Sequence, residues 1–419
     1  MSAAVTSLAT DSLAFSLVRA AEVVARVLAG QSLADGLLAE VPATARPAVQ
    51  DHVYQCLRQF GRGDFFLHRL LERPLANAQV RALLLVALAR LEQRPESAHT
   101  VVDQAVQAAG TLAAGRYKGL VNAVLRNFLR RQSEWLAALA GDEARHAHPD
   151  WWLRRLQLAY PEQWQAIVAA GNSAPPMALR VNRRRAERDR WLSESGLAGH
   201  AWGQDGVLID KPIPVERVPG FAQGLVSVQD PGAQLAAALL APAPGSRVLD
   251  ACAAPGGKTA HLLEVADLDL LALDLKPGRC RRVEENLSRL GLTATVRVAD
   301  CLRPTEWWDG RPFDAILADV PCTASGVVRR HPDAKWLRRE EDIASFARTQ
   351  SRMLACLWRL LKPAGKLLYA TCSLFPEENA GQIAAFLAQT PDARRCHEEQ
   401  LLPDAEHDGF YYCLLTKAA

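Results

Sequence analysis

From Ser12 to about Arg131 apolar residues recur at helical spacing, as in AAEVVARVLAGQSL, VYQCLRQF, VRALLLVALARLEQ and VVDQAVQAA. Pro42, Pro47, Gly61, Gly63, Pro74, Pro95 and Gly110 interrupt the pattern; proline removes a backbone donor and glycine loosens the chain, so these positions mark helix ends and turns. The pattern predicts an all-α N-terminal domain over residues 1–140, with about five to seven helices. Its last helix, YKGLVNAVLRNFLRR, sets Arg126, Arg130 and Arg131 about a turn apart. Over 145–230 the pattern changes. Helical runs rich in tryptophan (DWWLRRLQLAY, PEQWQAIVAAG) give way to short alternating segments such as MALRVN and GVLID, broken by Pro175, Pro176, Pro212, Pro214 and Pro219. This predicts a small α/β (RRM-like) linker module. Over 231–419 short apolar strands (SRVLDACA, DLLALDL, TVRVAD, FDAILADV, KLLYATCS, GFYYCLLTK) alternate with helices at 277–290, 342–361 and 377–389. Strands of this kind, buried on both faces, predict an α/β doubly wound (Rossmann-like) sheet.

Composition narrows the class. With 49% apolar and 23% charged residues the 419-residue chain reads as globular and multidomain. No run approaches the ~18 consecutive apolar residues of a membrane span, and MSAAVTSLATDSLAF lacks a leader's basic start. A cytoplasmic protein with no membrane partner is expected, and a monomer. The nine cysteines contain no CxxC pair, which fits neither a disulfide framework nor a zinc site, so no metal is expected. Net charge is +3, and residues 1–145 carry 16 Lys/Arg against 13 Asp/Glu. Basic clusters at Arg126/Arg130/Arg131, Arg183–Arg185 and Arg329–His331 are candidates for contact with a polyanion.

In a doubly wound sheet ligands bind beyond the carboxyl ends of the strands, and those ends carry the chemistry here. The first strand runs into Asp250-Ala-Cys252-Ala253-Ala254-Pro255-Gly256-Gly257-Lys258 and then a helix beginning near Thr259. Glycines at that place let the backbone approach a ligand, and the helix start offers free N–H groups. The run imitates a phosphate-binding loop, but that motif needs glycine where this chain has Cys252. Asp274, Asp300 and Asp319 end the next three strands. Acids at successive strand ends suit a ligand with a ribose, an amine and a cationic centre. Cys322 follows the fourth strand and Cys372 the fifth. Two thiols on the same edge point to nucleophilic chemistry on a ring that needs covalent activation, such as C5 of cytosine.

The runs DACAAPGGKT, ADVPCTASGVVRRHPDAKW and YATCSLFPEEN resemble the motifs of the RNA cytosine-5 methyltransferase family, from about SVQDPGAQLAA to the end of the chain. The helical part, in RPAVQDHVYQCLRQFGRGDFFLHRLL and VNAVLRNFLRR, is similar to the RNA-binding NusB-type domain. The combination resembles bacterial 16S rRNA methyltransferases of the Sun/RsmB type. Val320 departs conservatively from the Ala or Pro usual between Asp and Pro-Cys.

The resemblance implies S-adenosyl-L-methionine as cofactor, held by Cys252, Ala253, Ala254, Pro255, Gly256, Gly257, Lys258, Asp274, Asp300 and Asp319. It assigns attack on C6 to Cys372 and enzyme release to Cys322, whereas the DNA enzymes attack with the Pro-Cys thiol; sequence alone leaves the two roles open. An ordinary thiol, pKa about 8.5, is only a few per cent thiolate at neutral pH, so nearby positive charge such as Lys258 must help. The implied partner is 16S ribosomal RNA, naked or in an early-assembly small subunit, with the target base unstacked from a loop or bulge. One rival is a sister methyltransferase with another rRNA or tRNA target. Another is a non-catalytic RNA or ribosome assembly factor, and a third acts on protein or small molecules; two strand-end thiols count against both of these.

Overall fold

The computed structural model describes residues 8–419, so the leader reading of the first seven residues lies outside the described residues. Two compact units account for the chain. One holds the residues up to Ser173 together with Val328–Arg339, and the other holds Ala174–Val327 with Glu340–Ala419.

In the first unit six α-helices follow the apolar periodicity: Leu13–Leu28, Arg46–Arg58, Phe60–Leu70, Ala78–Gln93, Ala98–Thr111 and Lys118–Arg130. Ser12 and Asn77 start two of them by accepting the N–H groups of Phe15 and Val80, which the helix itself leaves unpaired. Ala78–Gln93 is apolar on nearly every face and runs through the centre of the core, burying Val80, Leu83, Leu84, Leu88 and Leu91. Two later helices, Asp150–Ala159 and Trp164–Asn172, also belong to this unit.

The run 328–339, which follows the Pro-Cys segment in sequence, is built into the helical unit. Lys335 is wholly buried, and its Nζ donates to the carbonyls of Arg58 (3.1 Å) and Ala147 (2.8 Å) and to Asn172 Oδ1 (2.8 Å). Burial, with the Arg58 charge nearby, pushes its pKa down, but three acceptors match the three N–H groups of an ammonium and keep the charged form supported. Trp336 Nε1 donates to Leu57 O, and Asp333 accepts from Ser32. This corrects the expectation for Arg329 as a phosphate contact, while His331 of the same run is exposed. Arg329 is buried and its carbonyl accepts from the Arg58 guanidinium.

The second unit has two sheets. Strands β1 (Met177–Val181), β2 (Gly199–Trp202), β3 (Gly206–Ile209) and β4 (Val226–Val228) form an antiparallel sheet in the order β2-β3-β1-β4. The cluster Arg183–Arg185 follows β1, and its side chains are engaged inside this unit. Arg183 pairs with Asp205, Arg184 with Asp267, and Arg185 donates to Gln223 O. All three arginines are nonetheless exposed.

The second sheet comprises β5 (Arg247–Asp250), β6 (Asp269–Asp274), β7 (Thr295–Val298), β8 (Phe313–Asp319), β9 (Leu361–Thr371), β10 (Ala393–Leu401) and β11 (Phe410–Lys417). Their order is β10-β11-β9-β8-β5-β6-β7. Strands β5 to β9 are parallel and β10 and β11 antiparallel. The chain enters at β5, steps outward to β6 and β7, then crosses back to β8 on the other side of β5. This reversal opens a crevice beyond the carboxyl ends of β5 and β8. Strand β10 (ARRCHEEQL) escapes the apolar pattern because it is an edge strand of mostly polar residues. Among the described residues no helix is long and apolar enough to cross a membrane.

Candidate active site

Parallel pairing brings the ends of β6, β5, β8 and β9 side by side on one edge, so Asp274, Asp250, Asp319 and Cys372 line up in that order. The turn after β5 is set by Gly256 at φ +98°, where a Cβ would lie 3.2 Å from Val283. Only glycine takes that backbone without strain or a clash. The helix Gly257–Val265 begins there with no side-chain cap, so its first N–H groups are available to an anionic group. Asp274 receives Ala254 N at 3.3 Å and Lys276 N at 3.2 Å, and Arg279 lies 3.3 Å away. Next to it Leu275 is 63% exposed, an apolar surface where a ring can lie flat. Asp300, at the end of β7, accepts Leu302 N at 2.9 Å, a local turn contact.

Asp250 is buried, and Thr259 Oγ1 donates to its Oδ2 at 2.6 Å while Oδ1 has no partner. Burial pushes its pKa up to about 7, with Asp319 adding to the rise and Thr259 and Lys258 opposing it. A buried carboxylate with one free oxygen is a receptor for a donor or a cation. Lys258 Nζ pairs with Asp319 Oδ2 at 2.6 Å and lies 5.5 Å from the centre of the Phe410 ring. Burial works against the Lys258 charge, yet Asp319 and the neighbouring Cys372 outweigh it and its pKa rises.

Cys322 Sγ and Cys372 Sγ are 3.4 Å apart. Cys322 is 8% exposed and Cys372 half-buried. The Cys372 thiol and burial together hold the Cys322 thiol well above the usual thiol range, so Cys322 is protonated at rest. A second pair is formed by Cys252 in the turn and Cys301, where Cys301 and burial hold the Cys252 thiol up.

Every strand-end residue singled out in the sequence lies on this edge, and Cys322, Cys372, Lys258 and Asp319 form one cluster. Nothing in the local sequence marks Arg180 on β1. It is wholly buried, pairs with Glu264 of the helix after the glycine turn at 2.8 Å, and donates to Gly257 O at 2.9 Å. It thereby ties the smaller sheet to the turn. A single arginine in an alternating strand carries no local mark of this. Glu378, Asn379 and Gln350 near the thiols are buried polar residues too; the first two fall within the run YATCSLFPEEN, whereas Gln350 carries no sequence mark.

A parallel sheet with this reversal, a glycine turn, strand-end acids and two apposed thiols defines a Rossmann-like methyltransferase. The chain belongs to the RsmB/F family of 16S rRNA methyltransferases. The model described as 16S rRNA methyltransferase RsmB/F matches residues 237–416, that of the RsmF/B-like ferredoxin-like domain 148–216, and that of the NusB family 14–130. The chain is 45% identical over 407 residues to the ribosomal RNA small subunit methyltransferase B of Escherichia coli CFT073, covering 93% of this chain and 95% of that one. It is similar to the crystal structure of a methyltransferase homolog protein from Pyrococcus horikoshii, with 29% identity and a TM-score of 0.59, covering 66% of this chain and 97% of that one. The crystal structure of PH0851 shares the fold, with a TM-score of 0.81 at 23% identity, over 96% of this chain and 98% of that one.

Proposed function

We propose that the protein transfers a methyl group from S-adenosyl-L-methionine to C5 of a cytosine in 16S ribosomal RNA, with Cys372 as nucleophile and Cys322 as the group that frees the enzyme. The observation that carries this reading is the pair of thiols 3.4 Å apart beside the Lys258–Asp319 ion pair. A non-catalytic RNA binder has no use for such a pair.

The residues present fit the cofactor. The backbone from Cys252 to Lys258 turns tightly at Gly256, where a Cβ would press on Val283, and leads into the uncapped helix start at Gly257, whose free N–H groups suit the cofactor's carboxylate. Asp274 suits ribose hydroxyls and the exposed Leu275 an adenine face. Asp300 and Asp319 complete the acidic rim, and the unpartnered oxygen of Asp250 suits a donor or a positive centre. When bound, the cofactor supplies an electrophilic methyl group on a sulfonium. The remaining chemistry belongs to the chain. C5 of cytosine is a weak nucleophile, and addition of the Cys372 thiolate to C6 turns the ring into an enamine-like one. Lys258 stands in the same cluster as the nucleophile, and Asp319 can accept from the cytosine amine. Formation of the Cys372 thioether removes the neighbouring thiol that holds the Cys322 proton on. Once the Cys322 proton has passed to solvent, the Cys322 thiolate can accept the C5 proton, and the electron pair left on C5 expels the Cys372 sulfur from C6 and restores the ring.

Bisulfite sequencing of 16S rRNA from cells with and without the gene tests the reading directly. Loss of one C5-methyl signal is expected, and an unchanged pattern would refute it. Asp274→Ala removes a charge-assisted hydrogen bond worth about 1.5–3 kcal/mol. Calorimetry should therefore show cofactor affinity reduced by roughly tenfold or more, and an unchanged affinity would move the cofactor elsewhere.

The pH dependence of cofactor affinity tests Asp250. Its pKa lies near 7 in the folded chain, so it is largely protonated below that pH and charged above it. A cationic ligand favours the charged form, so affinity should rise from pH 6 to 8, by up to roughly tenfold. Binding near neutrality should release a proton, seen as a binding heat that varies with the buffer's ionisation enthalpy. Asp250→Asn should flatten both effects; a pH profile identical to that of the parent would count against this role.

A further inference from the structure

We infer that Glu378 is a positioning residue that sets the separation of the two thiols, resting on the proposed roles of Cys322 and Cys372. Its carboxylate is wholly buried and reaches the residues immediately after both cysteines. Oε1 accepts Thr323 N at 2.9 Å, and Oε2 accepts Thr323 Oγ1 at 2.5 Å and the Ser373 hydroxyl. Gln350 Nε2 donates both to Glu378 Oε1 (3.1 Å) and to Pro321 O (2.9 Å), the residue before Cys322. On the other thiol, Asn379 accepts from Thr371 Oγ1 at 2.6 Å and donates to Ser373 O at 2.8 Å. The loops also touch directly, through Gly326 N to Cys372 O at 2.8 Å and Leu374 N to Ser325 Oγ at 2.7 Å.

Cys322 lies three residues beyond the end of β8 and Cys372 one beyond β9, so strand pairing alone does not fix how far their side chains stand apart. Glu378 accepts from the chain following each of them, at Thr323 and at Ser373. An ionised carboxylate offers only acceptor sites, and four donors, Thr323 N and Oγ1, the Ser373 hydroxyl and Gln350 Nε2, converge on it. A glutamine of the same shape turns one oxygen into an NH₂ that faces donors, so one of the two loops must move. The thiols act in successive steps on adjacent ring atoms, and a displacement of about 1 Å can cost a reaction roughly 100-fold. The run YATCSLFPEEN thus contains both a thiol and the carboxylate that holds it in register with the other.

Methylarsonous acid reads the thiol separation without RNA. It condenses with two thiols held near contact, forms two As–S bonds and releases two waters. Protection of Cys322 and Cys372 from alkylation, read by peptide mass spectrometry, reports that bridge and separates it from the Cys252/Cys301 pair. In Glu378→Gln the arsenical concentration needed for joint protection should rise roughly tenfold or more, and kcat for rRNA methylation should fall roughly 10- to 100-fold. Cofactor affinity should stay within about twofold, a split that general destabilisation would not give. Thr323→Val keeps the shape and removes one donor, and it should show a smaller loss of the same kind; it decides the matter where Glu378→Gln fails to fold. A folded Glu378→Gln, or failing that Thr323→Val, with parental arsenical protection and parental kcat would overturn the inference. If the parent enzyme bridges arsenic but never methylates RNA, the proposed reaction fails while the geometric role of Glu378 stands.

Discussion

Cys372→Ala is expected to abolish both methylation and any covalent complex with RNA, while Cys322→Ala traps the enzyme on its substrate. The two sulfurs stand 3.4 Å apart, so each can reach the same base. They differ in environment. Cys322 is held protonated by its neighbour and by burial, which makes it a poor nucleophile in the resting enzyme. Cys372 is the more exposed of the two and is the thiol that adds to the Lys258 charge. Without Cys372 no adduct forms at C6, and the rate should fall roughly 10⁴-fold or more, the scale on which losing a nucleophile acts. Without Cys322 attack and methylation still proceed, but no group takes the C5 proton and the thioether persists. A denaturing gel of each variant with substrate RNA and cofactor distinguishes them, with a slow band for Cys322→Ala and none for Cys372→Ala. The opposite pattern would make Cys322 the nucleophile and leave its high pKa as a resting-state property only.

Alternation of apolar strands with helices was readable from residue 231 onward because buried parallel strands need apolar residues on both faces, and that demand is local. The strand-end rule then selected Asp250, Asp274, Asp300, Asp319, Cys322 and Cys372 without any knowledge of strand order. Polar residues whose partners are distant in sequence were not readable. Arg180 is explained by Glu264 and Gly257, and Lys335 by carbonyls at Arg58 and Ala147; neither leaves a periodic trace. Strand β10 was missed for a related reason, since its outer edge lacks the apolar alternation that marks half-buried strands. Arg329 shows the reverse: it stands in a basic run yet is buried. Runs of arginine look like a solvated face, yet a guanidinium satisfies internal carboxylates and carbonyls equally well. In the helical unit Arg126 and Arg130 remain exposed on their helix, where the charge pattern alone had placed them.

Deleting residues 1–140 is expected to leave cofactor affinity within about twofold of the parent and to remove rRNA methylation even at saturating RNA. Loss of the exposed arginines of the helical unit accounts for weaker RNA binding and a shallower dependence on salt, because fewer counterions are released. That alone would be a defect in KM. The fold adds a second consequence, through the run 328–339 that leaves the catalytic unit just after the Pro-Cys loop. With residues 1–140 gone, Lys335 loses the Arg58 carbonyl, Trp336 loses Leu57 O, and Asp333 loses Ser32 and Leu33. Each stranded polar group costs about 1–3 kcal/mol where it stays buried, so the run should abandon its packed conformation. Its first residue is six positions after Cys322, and an unanchored run there loosens the loop that carries this thiol. A depressed kcat at saturating RNA, together with an intact cofactor isotherm, is therefore the expected result. Recovery of parental turnover on raising the RNA concentration would show that the helical unit serves RNA docking alone, and that the Pro-Cys loop holds its place without it.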